Sequence, residues 1–530
     1  MYGLKPIPMN WTNFIRYELV FAAIAMISTG STPALAMQVS QPLPSDVGMA
    51  DQAIISGVTV YDPQHLLRFA IAHASSNGGE TSPGSIADAI ELIYREDGYP
   101  LAEVALSYSQ DGNPVFQVDE GELQELSITG LQPKTEKRVR NYTSKLIGKT
   151  PLKQAELERA LMLSSDLAGI SLSSQVSAST TGSGSKLDIG GIESKSSGAA
   201  GIEIVPIRPG SAVRGFVVQE FYGAVTGGDM VRLLGQATLD RGDDWSFSGM
   251  AYYRAPVGSN GTYIEALGGN TVARRDFANI TGDSRLTGWN AAFVVGHPIH
   301  RSMTDFTYLL AEYEYVDARS RFLGQKLQSS AHAIRLRALT GTDLSNGSLF
   351  RAALTISGGK RPDTEIGKLP DGAKTFAHVR SEIGLAVPLD EHQLTSLRVE
   401  FRGQWASARL PEVERISMGH APFLRGYAPA EVTGDRGYGA TTELSRSIAV
   451  DGRFLREFVP FAFGALGYTD IIRPRFGQRN STTVASIGLG SHLHLKGGMR
   501  LSGWAALPLN DGPQSRSGNP AFHASLTFGW

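Results

Sequence analysis

The 530-residue chain has no cysteine. That removes disulfides and thiolate metal sites, and it suits passage through an oxidising compartment with nothing to mispair. Net charge is close to absent, formally −2, so charge gives no argument for nucleic acid or for an acidic substrate. Beyond Ile27 no run of 18 apolar residues occurs, the length from which a transmembrane helix is read. A membrane role must then rest on strands, because only helices and closed barrels satisfy every backbone polar group in lipid. Catalytic signatures are missing too. Gly148–Thr150 ends like a phosphate-binding loop, but Thr143 stands where the first glycine belongs. Neither G-x-S-x-G nor H-E-x-x-H is found. His492 and His494 stand two apart on one strand and could share a metal, but without a third ligand they read as polar wall residues. No cofactor, metal or catalytic residue is expected, and the chain is not read as an enzyme.

The N-terminus has the layout of a secretory signal. Lys5 and Arg16 give a basic start, Leu19–Ile27 the apolar segment, and Ala34–Ala36 the small residues of a cleavage site. The apolar segment falls short of the roughly 20 residues a membrane anchor needs. Residues 1–36 are therefore expected to be cleaved, with 37–53 a short, proline-containing linker unsuited to a long helix.

From about residue 50 to 200 helical and strand patterns mix. "IISGVTV" reads as a strand. Asp62-Pro63 gives an N-cap and a first-turn proline to a helix carrying Leu66, Leu67, Ala70 and Ile71. Ser85 is expected to cap a second helix with Ile86, Ala89, Ile90 and Ile93 on one face. Two strands around "DGN" follow. The order strand, helix, helix, strand, strand then recurs, with Thr150-Pro151 expected to open the fourth helix and "TGSGS" as the last turn. Each unit is small enough to be marginal alone. The boundaries expected are 54–122 and 123–200.

From there onward apolar and polar residues alternate. In "LTSLRVEFRGQWAS", Leu397, Val399, Phe401 and Trp405 oppose Arg398, Glu400, Arg402 and Gln404. In "ASIGLGSHLHLK", Ile487, Leu489, Leu493 and Leu495 oppose Ser486, His492, His494 and Lys496. A solvated sandwich alternates as well; two features favour a membrane barrel. Arginine and glutamate interleave along the polar face, as in a wide wet lumen. Sixteen strands are counted, the first at 213–222, with 262–268 and 271–280 taken as two. By this division connections alternate between roughly 14 and roughly 6 residues, long on one side and short on the other. The last strand alternates Phe522, Ala524, Leu526, Phe528 and Trp530 against small polar residues. It is expected to close the barrel with its apolar face on outer-membrane lipid, Phe528 and Trp530 marking its end. The barrel is placed at 205–530, with a long external loop at 406–438, the sixth.

That loop contains "FLRGYAPAEVTGDRGYGATTEL". Here the chain resembles the two-partner secretion transporters of the haemolysin/haemagglutinin activator type, a branch of the outer-membrane barrel-assembly superfamily. Their [VIL]-R-G-[YF] tip matches Leu424, Arg425, Gly426 and Tyr427, and Gly434, Asp435, Arg436 and Gly437 match the run into the next strand. The two N-terminal units, with "EDGYPLAEV" followed by "QVDEGEL", are similar to polypeptide-transport-associated (POTRA) domains. The resemblance implies two small α+β POTRA domains in the periplasm, a transmembrane β-barrel of about sixteen antiparallel strands in the bacterial outer membrane, and a secreted exoprotein substrate recognised unfolded and exported through the barrel. The alternatives are an outer-membrane assembly factor and a passive diffusion channel with accessory domains. The family's F-x-D-x-G strand, whose Asp holds the loop arginine, reads Phe463-Gly464-Ala465-Leu466-Gly467 here. Since an unpaired buried arginine is costly, another acceptor is expected, with Glu443 and Asp470 the candidates.

Overall fold

Alternating strands and short amphipathic helices organise the chain into two units that meet in sequence near Glu193. The computed structural model describes residues 52–76, 82–179, 184–207, 210–240, 244–276, 283–322, 325–361, 374–419, 423–474 and 479–530. The signal and linker expectations lie outside these residues. No helix among the described residues is long and apolar enough to cross a membrane.

The first N-terminal α+β unit runs β1 (Ile54–Ser56), α1 (Pro63–Ser76), α2 (Pro83–Glu96), β2 (Glu103–Tyr108) and β3 (Pro114–Asp119), with sheet order β1-β3-β2. β1 ends sooner than "IISGVTV" suggests, because Gly57 turns at φ +81° and passes so near the Val118 carbonyl that a side chain would not fit. Asp62 Oδ1 accepts from the His65 amide at 2.8 Å, capping α1 as expected. The cap of α2 is Ser82 rather than Ser85. Ser85 sits at the third position and completes a reciprocal capping box, its hydroxyl accepting from the Ser82 amide at 3.0 Å. Both helices bury their apolar faces, Leu67, Ala70, Ile86, Ile90 and Tyr94, against Phe116.

The second unit repeats the plan with β4 (Leu123–Thr129), α3 (Pro133–Thr143), α4 (Gln154–Ser165), β5 (Ile170–Ala178) and β6 (Ser185–Glu193), sheet order β4-β6-β5. α4 begins at Gln154, not at Thr150-Pro151. Leu152 is fully buried in the core beside Leu123, Val139 and Leu187, and the chain stays extended to place it there.

Glu120, between β3 and β4, is 3% exposed. It accepts from the amides of Thr59 at 2.6 Å and Val60 at 2.9 Å, the Tyr94 hydroxyl at 2.7 Å and the Thr59 hydroxyl. Burial pushes its pKa up, but these donors outweigh burial and hold it below the ordinary carboxylate value. A depressed carboxylate contributes stability above its unfolded pKa, about 4.3, and that contribution is lost as pH falls through the lower folded value. Urea unfolding of residues 52–193 is therefore expected to be level in pH above about 5 and to weaken below it. Glu120→Gln should cost about 2 kcal/mol at neutral pH and flatten the acid limb. Equal acid sensitivity in both proteins would contradict this role.

The C-terminal unit is a closed antiparallel barrel of sixteen strands. In order these are β7 (Ser196–Ile207), β8 (Gly210–Tyr222), β9 (Met230–Leu239), β10 (Trp245–Pro256), β11 (Tyr263–Asp276), β12 (Asp283–Arg301), β13 (Asp305–Phe322), β14 (Gln325–Asp343), β15 (Leu349–Lys360), β16 (Thr375–Pro388) and β17 (Thr395–Ala406). A short hairpin, β18 (Ile416–Met418) and β19 (Val432–Gly434), lies within the following loop. The wall resumes with β20 (Arg436–Arg446), continued by β21 (Ile448–Ala449), then β22 (Leu455–Asp470), β23 (Ser481–Leu495), β24 (Met499–Pro508) and β25 (Ala521–Gly529).

The expected count is right through two errors that cancel. The first barrel strand is β7, starting at Ser196 rather than near 205 or at 213; its small residues carry no alternation to read. The two strands expected at 262–268 and 271–280 are one, β11 (Tyr263–Asp276), with 277–280 outside the described residues. Gly268, Gly269 and Asn270 stay paired on both sides, to β10 and β12, instead of turning. The connection 223–229 consequently lies on the periplasmic side, whereas 407–435 remains the sixth external one.

β25 closes the ring on β7, pairing Ala524 with Ile204 through to Gly529 with Ala199. Trp530 exchanges both backbone hydrogen bonds with Gly198 at 3.0 Å. Large apolar side chains face outward around the wall: Ile334 and Leu336 on β14, Trp405 on β17, Leu489 on β23, Phe522 and Phe528 on β25 are exposed, Leu489 at 67%. Their neighbours Arg335, Arg402 and Gln404 are buried on the inside. An outside this apolar is solvated by hydrocarbon, not water.

Candidate functional site

Inward-pointing polar residues on the wall give the 407–435 loop places to bind. The chain leaves β17 and makes a single 3-10 turn, Glu412–Glu414. Glu414 is 1% exposed and is the first anchor. Its carboxylate accepts from Arg335 Nη2 of β14 at 2.9 and 3.0 Å and lies 2.9 Å from His378 Nε2 of β16. Its carbonyl accepts from Arg380 Nη2 at 2.7 Å and from Gln404 Nε2 at 3.2 Å. Three wall strands thus grip one loop residue. The hairpin that follows packs Ile416, Met418 and Val432 into an apolar cluster with Leu424, Tyr427, Ala465 and Val484.

The tip is seated on the opposite part of this cluster. Leu424 is fully buried at φ +61° and fills the space left by Gly467 of β22. Arg425 Nη1 donates to Glu443 Oε2 of β20 at 2.6 Å, and its guanidinium lies 4.5 Å from the Phe463 ring centre and 5.2 Å from that of Phe461. Gly426 turns at φ +100° with β24 so close that a Cβ would sit 3.1 Å from Ala506 Cβ. That combination of turn and approach needs glycine. The Tyr427 hydroxyl, on a fully buried ring, has the carbonyls of Ala485 at 2.8 Å and Asn510 at 2.9 Å to donate to, and accepts from their amides at 3.2 and 3.3 Å.

Asp470 does not meet Arg425. It pairs across the ladder with Arg436, and its carbonyl accepts from the Asp435 amide at 2.9 Å. The position matching the family's aspartate, Ala465, is buried in the apolar cluster. The carboxylate instead comes from the neighbouring strand, where Glu443 stands opposite Phe463. The return limb is fastened by Asp435, which is fully buried. Asp435 accepts from the Leu410 amide at 2.9 Å, Arg415 Nε at 3.1 Å and the Ile472 amide at 2.8 Å. Gly434 ends β19, Gly437 stands opposite Gln404, and Arg436 Nε donates to the Ala406 carbonyl at 2.8 Å. Phe528 and Trp530 lie apart from the loop on the closing strand, both exposed. His492 Nδ1 lies 2.8 Å from Ser502 Oγ across β23 and β24.

Sequence reading missed Glu414, Arg335 and Arg380. The sequence carries no signal for Arg335 beyond its place in an alternating strand, and none for Glu414 beyond being an acid in the longest loop. Among its described residues the assembled group has no nucleophile–base pair. It is a set of separate polar contacts holding a loop across the inside of the barrel.

The model of the family described as haemolysin secretion/activation protein ShlB/FhaC/HecB matches residues 226–492, the stretch that contains this loop. No curated protein matches the chain. Among solved structures, CdiB from Escherichia coli is similar at TM-score 0.70 and 17% identity, over 94% of this chain and 93% of that one. CdiB from Acinetobacter baumannii is similar at TM-score 0.68 and 14% identity, over 90% and 89%. BamA from Haemophilus ducreyi lacking POTRA domains 1-3 gives TM-score 0.50 at 15% identity, over 85% and 94%.

Proposed function

The chain belongs to the haemolysin secretion/activation protein family and is an outer-membrane transporter of two-partner secretion, and from that premise we propose how it exports its partner. The POTRA units take up the secreted exoprotein unfolded in the periplasm. Strand addition is the physical means: β2 and β5 are edge strands of their three-stranded sheets, each with one row of backbone groups open to a new strand. The exoprotein then threads through the lumen while the 407–435 loop is displaced. The observation that carries this reading is the mode of loop attachment. Arg425 and Tyr427 hold its tip by an ion pair and hydrogen bonds to β20, β23 and the connection that follows β24, contacts that can be exchanged for those of a passing chain, while Glu414 and Asp435 fasten its base. The lipid contact is the outward apolar face, and no nucleic acid takes part.

The test is to delete the gene and compare culture medium and outer membrane by quantitative mass spectrometry. Loss of one or a few large exported proteins, with the membrane proteome intact, is the expected result. Broad depletion of other barrels would indicate an assembly factor instead. No change in either fraction, with the protein expressed in the parent strain, would favour a passive channel.

A further inference from the structure

Glu431 is a buried carboxylate that the docking of the loop tip by Arg425 does not use. It is 3% exposed. Oε1 accepts from the amides of Gln514 at 2.7 Å and Ser515 at 2.8 Å. Oε2 accepts from the Ser515 hydroxyl at 2.8 Å and the Ala428 amide at 3.1 Å. All four donors are backbone amides or a hydroxyl, and three belong to the connection 509–520 between β24 and β25. The same connection supplies Asn510 to Tyr427. Ser515 is fully buried under the contact, and the segment is braced by its own bonds, Gly512 amide to Ser515 carbonyl at 2.8 Å and Ser517 amide to Asp511 Oδ1 at 2.8 Å. The tip of the sixth external loop is therefore held by the eighth external connection at two points.

We infer that residues 509–520 are a clasp for the loop tip, with Glu431 as its positioning residue, so that release of the loop is controlled from the external mouth. This rests on the export reading above and adds where the release is triggered. A carboxylate held by amides and a hydroxyl differs from one held by arginine. Opening it strands no buried cation, so the cost is that of hydrogen bonds that water can replace. Movement of 509–520 withdraws the partners of Glu431 and Tyr427 together. An exported segment emerging at the mouth is placed to cause that movement.

The natural absence of cysteine permits a clean staple. The pair Ala428→Cys and Ser515→Cys joins the two segments where the Ala428 amide lies 3.2 Å from Ser515 Oγ. In cells producing the full chain and its exoprotein, the oxidised staple is expected to stop export while the exoprotein still co-purifies with the transporter, and reduction should restore export. Export at the wild-type rate through a fully oxidised staple would overturn the clasp. An unmodified protein that exports nothing would instead overturn the function itself. The second arm is conductance of the purified protein in planar bilayers. Glu431→Gln puts an amide donor against N–H donors, so the open fraction should rise about thirtyfold with the barrel's heat resistance in gels unchanged, and Glu431→Asp should restore part of the closure. An open fraction unaltered by Glu431→Gln, or lowered heat resistance with no gain in opening, would make Glu431 a merely structural residue.

Discussion

Arg425→Ala is expected to lower the docked fraction of the loop about thirtyfold, the scale of a charge-assisted contact worth about 2 kcal/mol, and to cut export with it while the barrel still assembles, since export as proposed here cycles the tip between its seat and a released position. The side chain makes two kinds of contact. Its ion pair with Glu443, at 2.6 Å, is largely shielded from water, the two side chains being 16% and 14% exposed. Its guanidinium also rests on Phe461 and Phe463, adding cation–π attraction in a partly desolvated place. Alanine removes both and leaves Glu443 between Phe463 and Arg398, its neighbours across the ladder. Arg425→Lys keeps the charge but loses the planar fork and the stacking, so it should recover only part of the activity. The exchange of Arg425→Glu with Glu443→Arg should export better than either single reversal, each of which sets like charges face to face. Secreted exoprotein measured by immunoblot, normalised to folded barrel on unheated gels, decides the matter. Export by Arg425→Ala at the wild-type level would mean that the tip contact is incidental.

This pairing also shows how far the sequence could be read. The Leu424–Tyr427 tip was visible as a motif, and Ala465 was visible as a departure that called for another acceptor. Which acceptor was not visible. Glu443 lies on β20, which follows the loop, and Asp470 on the next wall strand, β22; only the register of β20 against β22, which sets Glu443 beside Phe463 and Asp470 beside Arg436, separates them. Alternation revealed β17 and β23 because each has one face on lipid and the other on the lumen. It failed for β7, where "SSGAAG" offers no contrast between faces, and for β11, where Gly-Gly-Asn resembles a turn but is held in the ladder by partners on both sides. Local rules gave the cap of α1 but misplaced those of α2 and α4, because burial of Leu152 and a reciprocal serine pair decided the ends. Glu414 could not have been found by local rules at all. Its significance comes from Arg335, His378 and Arg380, on strands far away in sequence.

Glu414→Ala is expected to harm the barrel more than Arg425→Ala does. Arg335, Arg380 and Glu414 are buried almost completely, and removing one partner from a buried ionic group costs about 3–5 kcal/mol because the remaining charge is left without compensation. Part of the loss is offset. Arg335 keeps Glu314 at 2.8 Å, and Arg380 keeps Gln404 at 2.5 Å and the backbone carbonyl of residue 414. The lower end, about 3 kcal/mol, is therefore the reasonable figure. The variant should lose its compact gel mobility at a lower temperature than the wild type, and amide exchange should quicken through residues 412–418. Glu414→Gln keeps an acceptor but not the charge and should fall between them. Unaltered heat resistance together with unaltered exchange in Glu414→Ala would remove the base anchor from the account. The comparison with Arg425 gives the order of release. At the tip the charged pair keeps some access to water, and the clasp is made of exchangeable hydrogen bonds. At the base the ionic group is nearly dry and shared among three strands. On the export reading proposed above, the tip is therefore expected to detach before the base, with the loop turning about Glu414.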